Sequence, residues 1–227
     1  MKYLVLNEKK WNSKVVSQLN KKNIGTFYEI SKPELLTLSY LSSLNPIIIF
    51  VLHWSHILPN EIYSNYHSIG FHMTDLPFGR GGSPLQNLIV NGIKETKISA
   101  FRITEQLDAG PIYLKKEMSL YGTAEEIFIR ASEIALQMIE TIIKENPKPF
   151  DQKGDITEFK RRKPSEGNIC ELDSLNRVFD HIRMLDADGY PQAFLETKNF
   201  HIEFSRASLK TNHIIADAKI VIKKEEK

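Results

Sequence analysis

Short runs of consecutive apolar residues alternate along this chain with stretches whose apolar residues recur every three or four positions. Tyr3-Leu4-Val5-Leu6 is the first run, and Trp11, Val15, Val16 and Leu19 follow at helical spacing. Thr26 to Ile30 reads as a second strand. Ser31 and Pro33 then sit where a helix cap and first turn belong, with Leu35, Leu36 and Leu38 behind them. Ile47 to Leu52 is continuous and β-branched, as expected of a strand buried on both faces. Ser68 to His72 gives the next strand, and Leu85 to Val90 a helix ending at Asn91-Gly92. Lys97 to Ile103 and Pro111 to Met118 read as a strand pair around Asp108-Ala109-Gly110. Thr123, with Glu126 three residues on, caps a long helix reaching Lys144, whose apolar stripe includes Ile127, Ala131, Ile134, Met138, Ile142 and Ile143.

This order predicts an α/β domain built on a largely parallel sheet. Asn146-Pro147-Lys148-Pro149 breaks the pattern and puts the expected boundary at 150, with one domain over 1–150 and a second over 151–227. The second part holds a helix from Ser174 to Leu185 and strand-like runs from Ala193 to Ile222, which predict a small β-rich subdomain. Lys223 to Lys227 reads as a charged, fraying tail.

Composition narrows the classes. With 227 residues, 41% hydrophobic and 26% charged, the chain is an ordinary soluble globular sequence. A formal charge of +2 is too small to draw nucleic acid by bulk electrostatics. The single cysteine, Cys170, forms no internal disulfide and suits a reducing cytoplasm. No stretch reads as a signal peptide, and the longest apolar run is far short of the ~20 residues that cross a bilayer. No membrane partner is expected, and a homodimer stays open.

Familiar ligands of such sheets are missing from the sequence. The first turn, Leu6-Asn7-Glu8-Lys9-Lys10, has no glycine to let backbone amides approach a pyrophosphate. There is no Walker lysine motif, Cys-x-x-Cys or His-x-x-x-His, and no metal site is expected. Gly82-Ser83-Pro84 lacks the Gly-x-Ser-x-Gly elbow of serine hydrolases. Ligands of open sheets sit beyond the carboxyl ends of the strands, so the site is expected between the loop after His72 and the loop Trp54 to Pro59.

One segment carries chemistry. It runs Gly70-Phe71-His72-Met73-Thr74-Asp75-Leu76-Pro77-Phe78-Gly79-Arg80-Gly81-Gly82-Ser83-Pro84, then closes with Leu107-Asp108-Ala109-Gly110-Pro111-Ile112. Asp108 lies 36 residues after His72. A histidine suits proton transfer near neutral pH, and a carboxylate beside it can orient the ring or stabilise its charged form. Taken singly, His72 reads as a structural strand-end residue and Asp108 as a turn cap. Their order and spacing together point to a catalytic pair.

The segment resembles the signature of the 10-formyltetrahydrofolate-dependent formyltransferases, Asn-x-His-x-Ser-x-x-Pro-x-x-Arg-Gly followed by Leu-Asp-x-Gly. The family includes methionyl-tRNA, glycinamide-ribonucleotide and nucleotide-sugar enzymes. The resemblance implies a Rossmann-like formyltransferase fold, His72 and Asp108 as catalytic residues, and 10-formyltetrahydrofolate as cofactor. Thr74 takes the family's serine position. Gly70 stands where the family has asparagine, whose side-chain amide is the usual donor to the formyl oxygen. Three substitutes fit: protonated His72, a backbone N–H, or a bound water.

By the same resemblance Trp54, Ile57 and Leu58 would wall a flat pterin, with Gln106, Leu107 and Gly110 at its other edge through their backbone. On the acceptor side the resemblance implies Arg80, Gly81, Gly82, Lys160, Arg161, Arg183 and Tyr190, the basic ones toward phosphate and Tyr190 toward a base. A basic run such as Lys160 to Lys163 is equally a solvated surface. The variant motif is similar to N-formyltransferases of bacterial pseudaminic-acid pathways, which implies a UDP-linked 4-amino-4,6-dideoxy sugar as substrate. Only 77 residues follow residue 150, which disfavours a tRNA acceptor. The other readings are a module formylating an aminoacyl or peptidyl amine, and a paralogue that binds folate or nucleotide without turnover.

Overall fold

A computed structural model describes residues 1–223; the rest of the charged tail expected at Lys223 to Lys227 lies outside the described residues. The chain divides into two compact units. The first takes in Met1–Gly81, Thr96–Met118 and Phe128–Phe159, and the second takes in Gly82–Glu95, Ser119–Ile127 and the chain from Lys160 onward. The segment that follows the Pro147-Lys148-Pro149 break thus stays with the first unit as far as Phe159.

The first unit is built on strands β1 (Lys2–Asn7), β2 (Thr26–Ile30), β3 (Ile48–Leu52), β4 (Ser68–His72), β6 (Glu95–Arg102) and β7 (Ile112–Ser119), in the order β2-β1-β3-β4-β6-β7. The first four run parallel, and β6 runs antiparallel to β4 with His72 opposite Ser99. The expected largely parallel sheet is present. Leu4, Leu6, Ile49, Phe50 and Ile69 are fully buried, because central parallel strands are covered on both faces. Helices α1 (Val15–Lys21), α2 (Leu38–Leu44) and the long α5 (Ala124–Glu145) supply the cover, with the short α3 (Asn60–Tyr63) between β3 and β4. Trp11 stacks on Phe128 of α5 at 4.5 Å and 9°.

Two helix starts differ from expectation. Trp11 lies in a separate 3-10 turn, Lys10–Asn12, so the apolar stripe it begins is not one helix. Ser31 caps nothing: Pro33–Leu35 forms a 3-10 turn, and α2 is capped by Thr37, whose hydroxyl accepts from the Tyr40 N–H. Proline in the first turn suits either helix type, and the hydroxyl that reaches a free N–H decides the start.

In the second unit α4 (Pro84–Val90) packs on α6 (Leu175–Arg183), and the Gln86 amide donates to the Met184 carbonyl. Strands β9 (Ala193–Glu196), β10 (Phe200–Leu209) and β11 (Ile214–Ile222) supply the expected β-rich part as an antiparallel sheet, with α6 against β10. The Thr123–Glu126 capping box forms in both directions at the head of α5. No helix among the described residues is long and apolar enough to cross a membrane.

Candidate functional site

His72 ends β4, and its ring is fixed by the turn that follows. Nε2 lies 2.8 Å from the Gly79 carbonyl, which only accepts, so this nitrogen carries the proton. The Thr74 hydroxyl reaches the same carbonyl at 3.4 Å. Ser99 of β6 locks the turn from beneath, donating to the Thr74 carbonyl and accepting from the Leu76 N–H. Nδ1 is left as the nitrogen able to exchange a proton, and it faces Asp108 Oδ2 at 3.7 Å. That gap is too long for a hydrogen bond and short enough for charges to feel each other strongly.

The loop carrying Asp108 begins beside the start of β4, where the Ile103 N–H donates to the Ser68 carbonyl. It runs back along that strand to reach His72 at its end. Asp108 itself sits at φ +51°, a left-handed conformation costly for a side chain other than glycine. Its Oδ2 accepts from the Gly81 N–H at 2.9 Å. Gly81 lies in a two-residue strand, β5 (Arg80–Gly81), paired with β8 (Glu158–Phe159). Its φ is +100°, and a Cβ there would stand 2.5 Å from the Phe159 carbonyl oxygen. Only glycine lets the backbone approach closely enough to present that N–H.

At Gly70 a Cβ would stand 2.8 Å from the Phe101 ring, so the volume a side chain would take is already filled. No side-chain amide aims into the site from this position.

The loop after β3 and the Asp108 loop each leave an apolar side chain exposed. Ile57 is 87% exposed and Leu107, on the Asp108 loop, is 61% exposed. The Trp54 indole N–H is buried without a partner. The Trp54 ring itself packs against the core cluster of Leu4, Leu6 and Ile49, while Ile57 and Leu107 leave apolar surface in water. The loop is held by Glu8, whose carboxylate accepts from the Ser55 N–H at 2.9 Å and meets His56 Nε2 at 2.7 Å. Burial works to raise the Glu8 carboxyl, but the Ser55 hydrogen bonds and His56 hold it below its ordinary value. Leu58 departs from the expected wall. It is buried in the core cluster with Leu4, Leu6 and Ile62. Gln106 is exposed and offers its carbonyl to the Ala109 N–H, and Gly110 packs against the Arg102 carbonyl, where a Cβ would collide.

The residues expected on the acceptor side do different things. Arg80 is buried, and its Nε and Nη2 donate to Gln152 Oε1 at 3.2 and 2.7 Å. In the second unit, Arg183 is also buried. It donates to the Leu120 and Gly122 carbonyls and to Asp180, tying α6 to the head of α5. The Tyr190 phenol hydrogen-bonds with the Gln86 side chain, and burial raises its pKa above the ordinary value. Lys160 and Arg161 are exposed, and Arg161 lies against Gly82. Sequence patterns missed Gln152 and Thr157. The Thr157 hydroxyl accepts from the Gly79 N–H at 2.7 Å, so both residues brace the turn that positions His72.

Residues 2–137 match the family model described as "Formyl transferase", and residues 164–221 match "Methionyl-tRNA formyltransferase, C-terminal domain". Among solved structures, the methionyl-tRNA formyltransferase from Clostridium thermocellum is 45% identical with a TM-score of 0.95, covering 98% of this chain and 100% of that one. The methionyl-tRNA formyltransferase of Thermodesulfovibrio yellowstonii is 32% identical over 151 residues, 63% of this chain and 49% of its own length. The chain spans about half of that relative's length and 63% of the length of the methionyl-tRNA formyltransferase of a Sulfurihydrogenibium species, to which it is 29% identical over 199 residues. A sugar N-formyltransferase from a Shewanella species shares the fold at a TM-score of 0.64 and 18% identity, covering 87% of this chain and 93% of that one.

Proposed function

The chain belongs to the formyl transferase family, and from that premise we propose that it moves a formyl group from 10-formyltetrahydrofolate to a primary amine, with His72 as the proton acceptor and Asp108 as its partner. The family draws on 10-formyltetrahydrofolate, which supplies a formyl carbon bonded to a nitrogen that can leave. Trp54, Ile57 and Leu107 would hold its pterin. The observation that carries the reading is the imidazole and carboxylate 3.7 Å apart, with the ring's other nitrogen tied to Gly79.

The roles follow from that geometry. As the amine nitrogen bonds to the formyl carbon, His72 Nδ1 takes the proton the amine loses. Asp108 stabilises the resulting imidazolium across a partly buried gap, where the attraction is several-fold larger than in water. The imidazolium N–H then serves as donor to the formyl oxygen and as the source of the proton for the departing nitrogen. Gly70 offers no side chain for the oxygen, so in this chain the histidine carries both duties.

For the acceptor, the weight of the likenesses favours an aminoacyl amine of the methionyl-tRNA kind. The full-length match at 45% identity and the match over 164–221 both support it. A nucleotide-linked amino sugar is the second reading, favoured by the catalytic motif and by the net charge of +2, which gives little pull on RNA. The test is mass spectrometry after incubating the protein and formyl-folate with methionyl-tRNA, with UDP- and dTDP-linked 4-amino-4,6-dideoxy sugars, and with no amine. A gain of one formyl group on methionyl-tRNA supports the first reading, and a gain on a sugar supports the second. Folate binding without product from any amine removes the transferase reading.

A further inference from the structure

Gln152 lies outside the motif segment, yet it touches both turns that make the site. Its Oε1 accepts from Arg80 Nε and Nη2 at 3.2 and 2.7 Å. Its Nε2 donates to the carbonyls of Asp108 and Gly110 at 2.8 and 2.9 Å. The orientation of the amide is fixed by chemistry, since a guanidinium only donates and a carbonyl only accepts. Both of its amide hydrogens are used.

We propose that Gln152 is the positioning residue of this site: it clamps the Arg80–Gly81 strand to the Asp108 loop and so holds the carboxylate toward His72. The inference rests on the reading of His72 and Asp108 as the reacting pair. Asp108 occupies a left-handed backbone conformation that relaxes unless something holds it. Gln152 fixes the peptide planes at Asp108 and Gly110, on either side of Ala109. On the other turn it anchors Arg80, the neighbour of the glycine whose N–H meets Asp108 Oδ2. It also gives the buried guanidinium its acceptor, while the Asp108 carboxylate meets the Gly81 N–H and the imidazole. A glutamate would serve Arg80 equally well. It has no hydrogens for the two carbonyls and would repel them, so only an amide joins the two turns.

The experiment compares the full chain with Gln152→Ala and Gln152→Glu, using the amine accepted in the acceptor test. Both variants are expected to lose about 10- to 100-fold in kcat, the scale of a misplacement near 1 Å. KM for donor and amine should stay within about threefold, because no binding group is removed. Gln152→Glu keeps the Arg80 contact, so an equal kcat loss in that variant separates positioning from general support of the fold. The second readout needs no turnover: hydrogen exchange at the Gly81 amide should speed at least about tenfold in both variants as its carboxylate acceptor is released. Wild-type kcat in Gln152→Glu, or unchanged Gly81 exchange, overturns the proposal. A wild-type protein that formylates no amine removes the transferase reading instead, and the Gly81 exchange rate then still decides the clamp.

Discussion

The Phe101 ring fills the space above Gly70, within 2.8 Å of where a Cβ would be. The two residues are partners in the β4–β6 pairing, so neither backbone can move away without breaking the ladder. The glycine is thus matched to a phenylalanine across the strand.

Gly70→Ala should therefore cost about 1–3 kcal/mol, the range for overfilling a packed core. Placed in a Phe101→Ala background, the same change should cost far less, because the ring it meets is gone. Denaturant midpoints of the two singles and the double give the coupling. Strict additivity would mean that Phe101 does not set the identity of residue 70.

His72→Ala and Asp108→Asn should each lower kcat by about 10²–10⁴-fold, the range for removing a positioned acid–base group or its partner. Neither change enlarges a side chain, so far-UV circular dichroism should be unaltered. The double variant should be little worse than His72→Ala alone, since the carboxylate acts through the ring. Independent, multiplying losses would separate the two residues into different steps.

The fold was legible where burial leaves a pattern. Ile48 to Leu52 is an uninterrupted apolar strand because helices cover both faces, and the Thr123–Glu126 cap is a local rule met by two side chains three residues apart. The start of α2 was not legible, because Ser31-x-Pro33 satisfies the same residue preferences as a helix cap and forms a 3-10 turn instead. Motif spacing singled out His72 and Asp108, and the fold sets the imidazole and the carboxylate 3.7 Å apart. Gln152 and Thr157 reach partners more than 70 positions away, and such contacts impose no period on the sequence around them. Arg80 and Arg183, expected toward phosphate, meet a Gln152 side-chain oxygen and main-chain carbonyls: a cation suited to phosphate is equally suited to such oxygens, and only the fold decides which it meets.

Gly81→Ala should unsettle the site more than the stability. Its Cβ would press on the Phe159 carbonyl at a φ that side chains avoid, at a cost of about 1–3 kcal/mol. Strand β5 would part from β8, and the N–H held to Asp108 Oδ2 would shift with it. Expected outcomes are a lower Tm and a kcat loss larger than folded-fraction accounting explains. A loss of Tm with normal turnover by the folded fraction would show that the Gly81 N–H does not steer Asp108.

Ile57→Ser and Leu107→Ser test the pterin wall. Each removes an exposed apolar side chain, so stability should hold while Kd for tetrahydrofolate rises by about 10-fold, matching about 1.5 kcal/mol of apolar contact. Fluorescence titration of the Trp54 environment supplies the Kd. Unchanged affinity in both variants would move the folate site elsewhere.

Acid should weaken the fold through His53. Its Nδ1 accepts from Asn12 Nδ2 at 3.1 Å and from the Trp11 indole at 3.4 Å, which leaves Nε2 with its hydrogen facing Met73 Sδ. Burial, with help from the Lys9 charge, lowers its pKa to about 4. His67, beside Tyr113, is lowered to about 4 by burial and the Arg102 charge. Above the ordinary histidine pKa of about 6.5, both rings are neutral in the folded and unfolded chain and their contribution is whole. Between about 6.5 and 4 the unfolded chain takes up protons that the folded chain refuses, so stability falls as pH falls, then levels below about 4. For His53, which is half-buried, the loss is at most about 3 kcal/mol. Denaturant unfolding from about pH 7.5 to 4 should show a shallower decline for His53→Gln than for wild type, since glutamine keeps an acceptor for Asn12 and does not titrate. Parallel declines in the two proteins would place the acid sensitivity in groups other than His53.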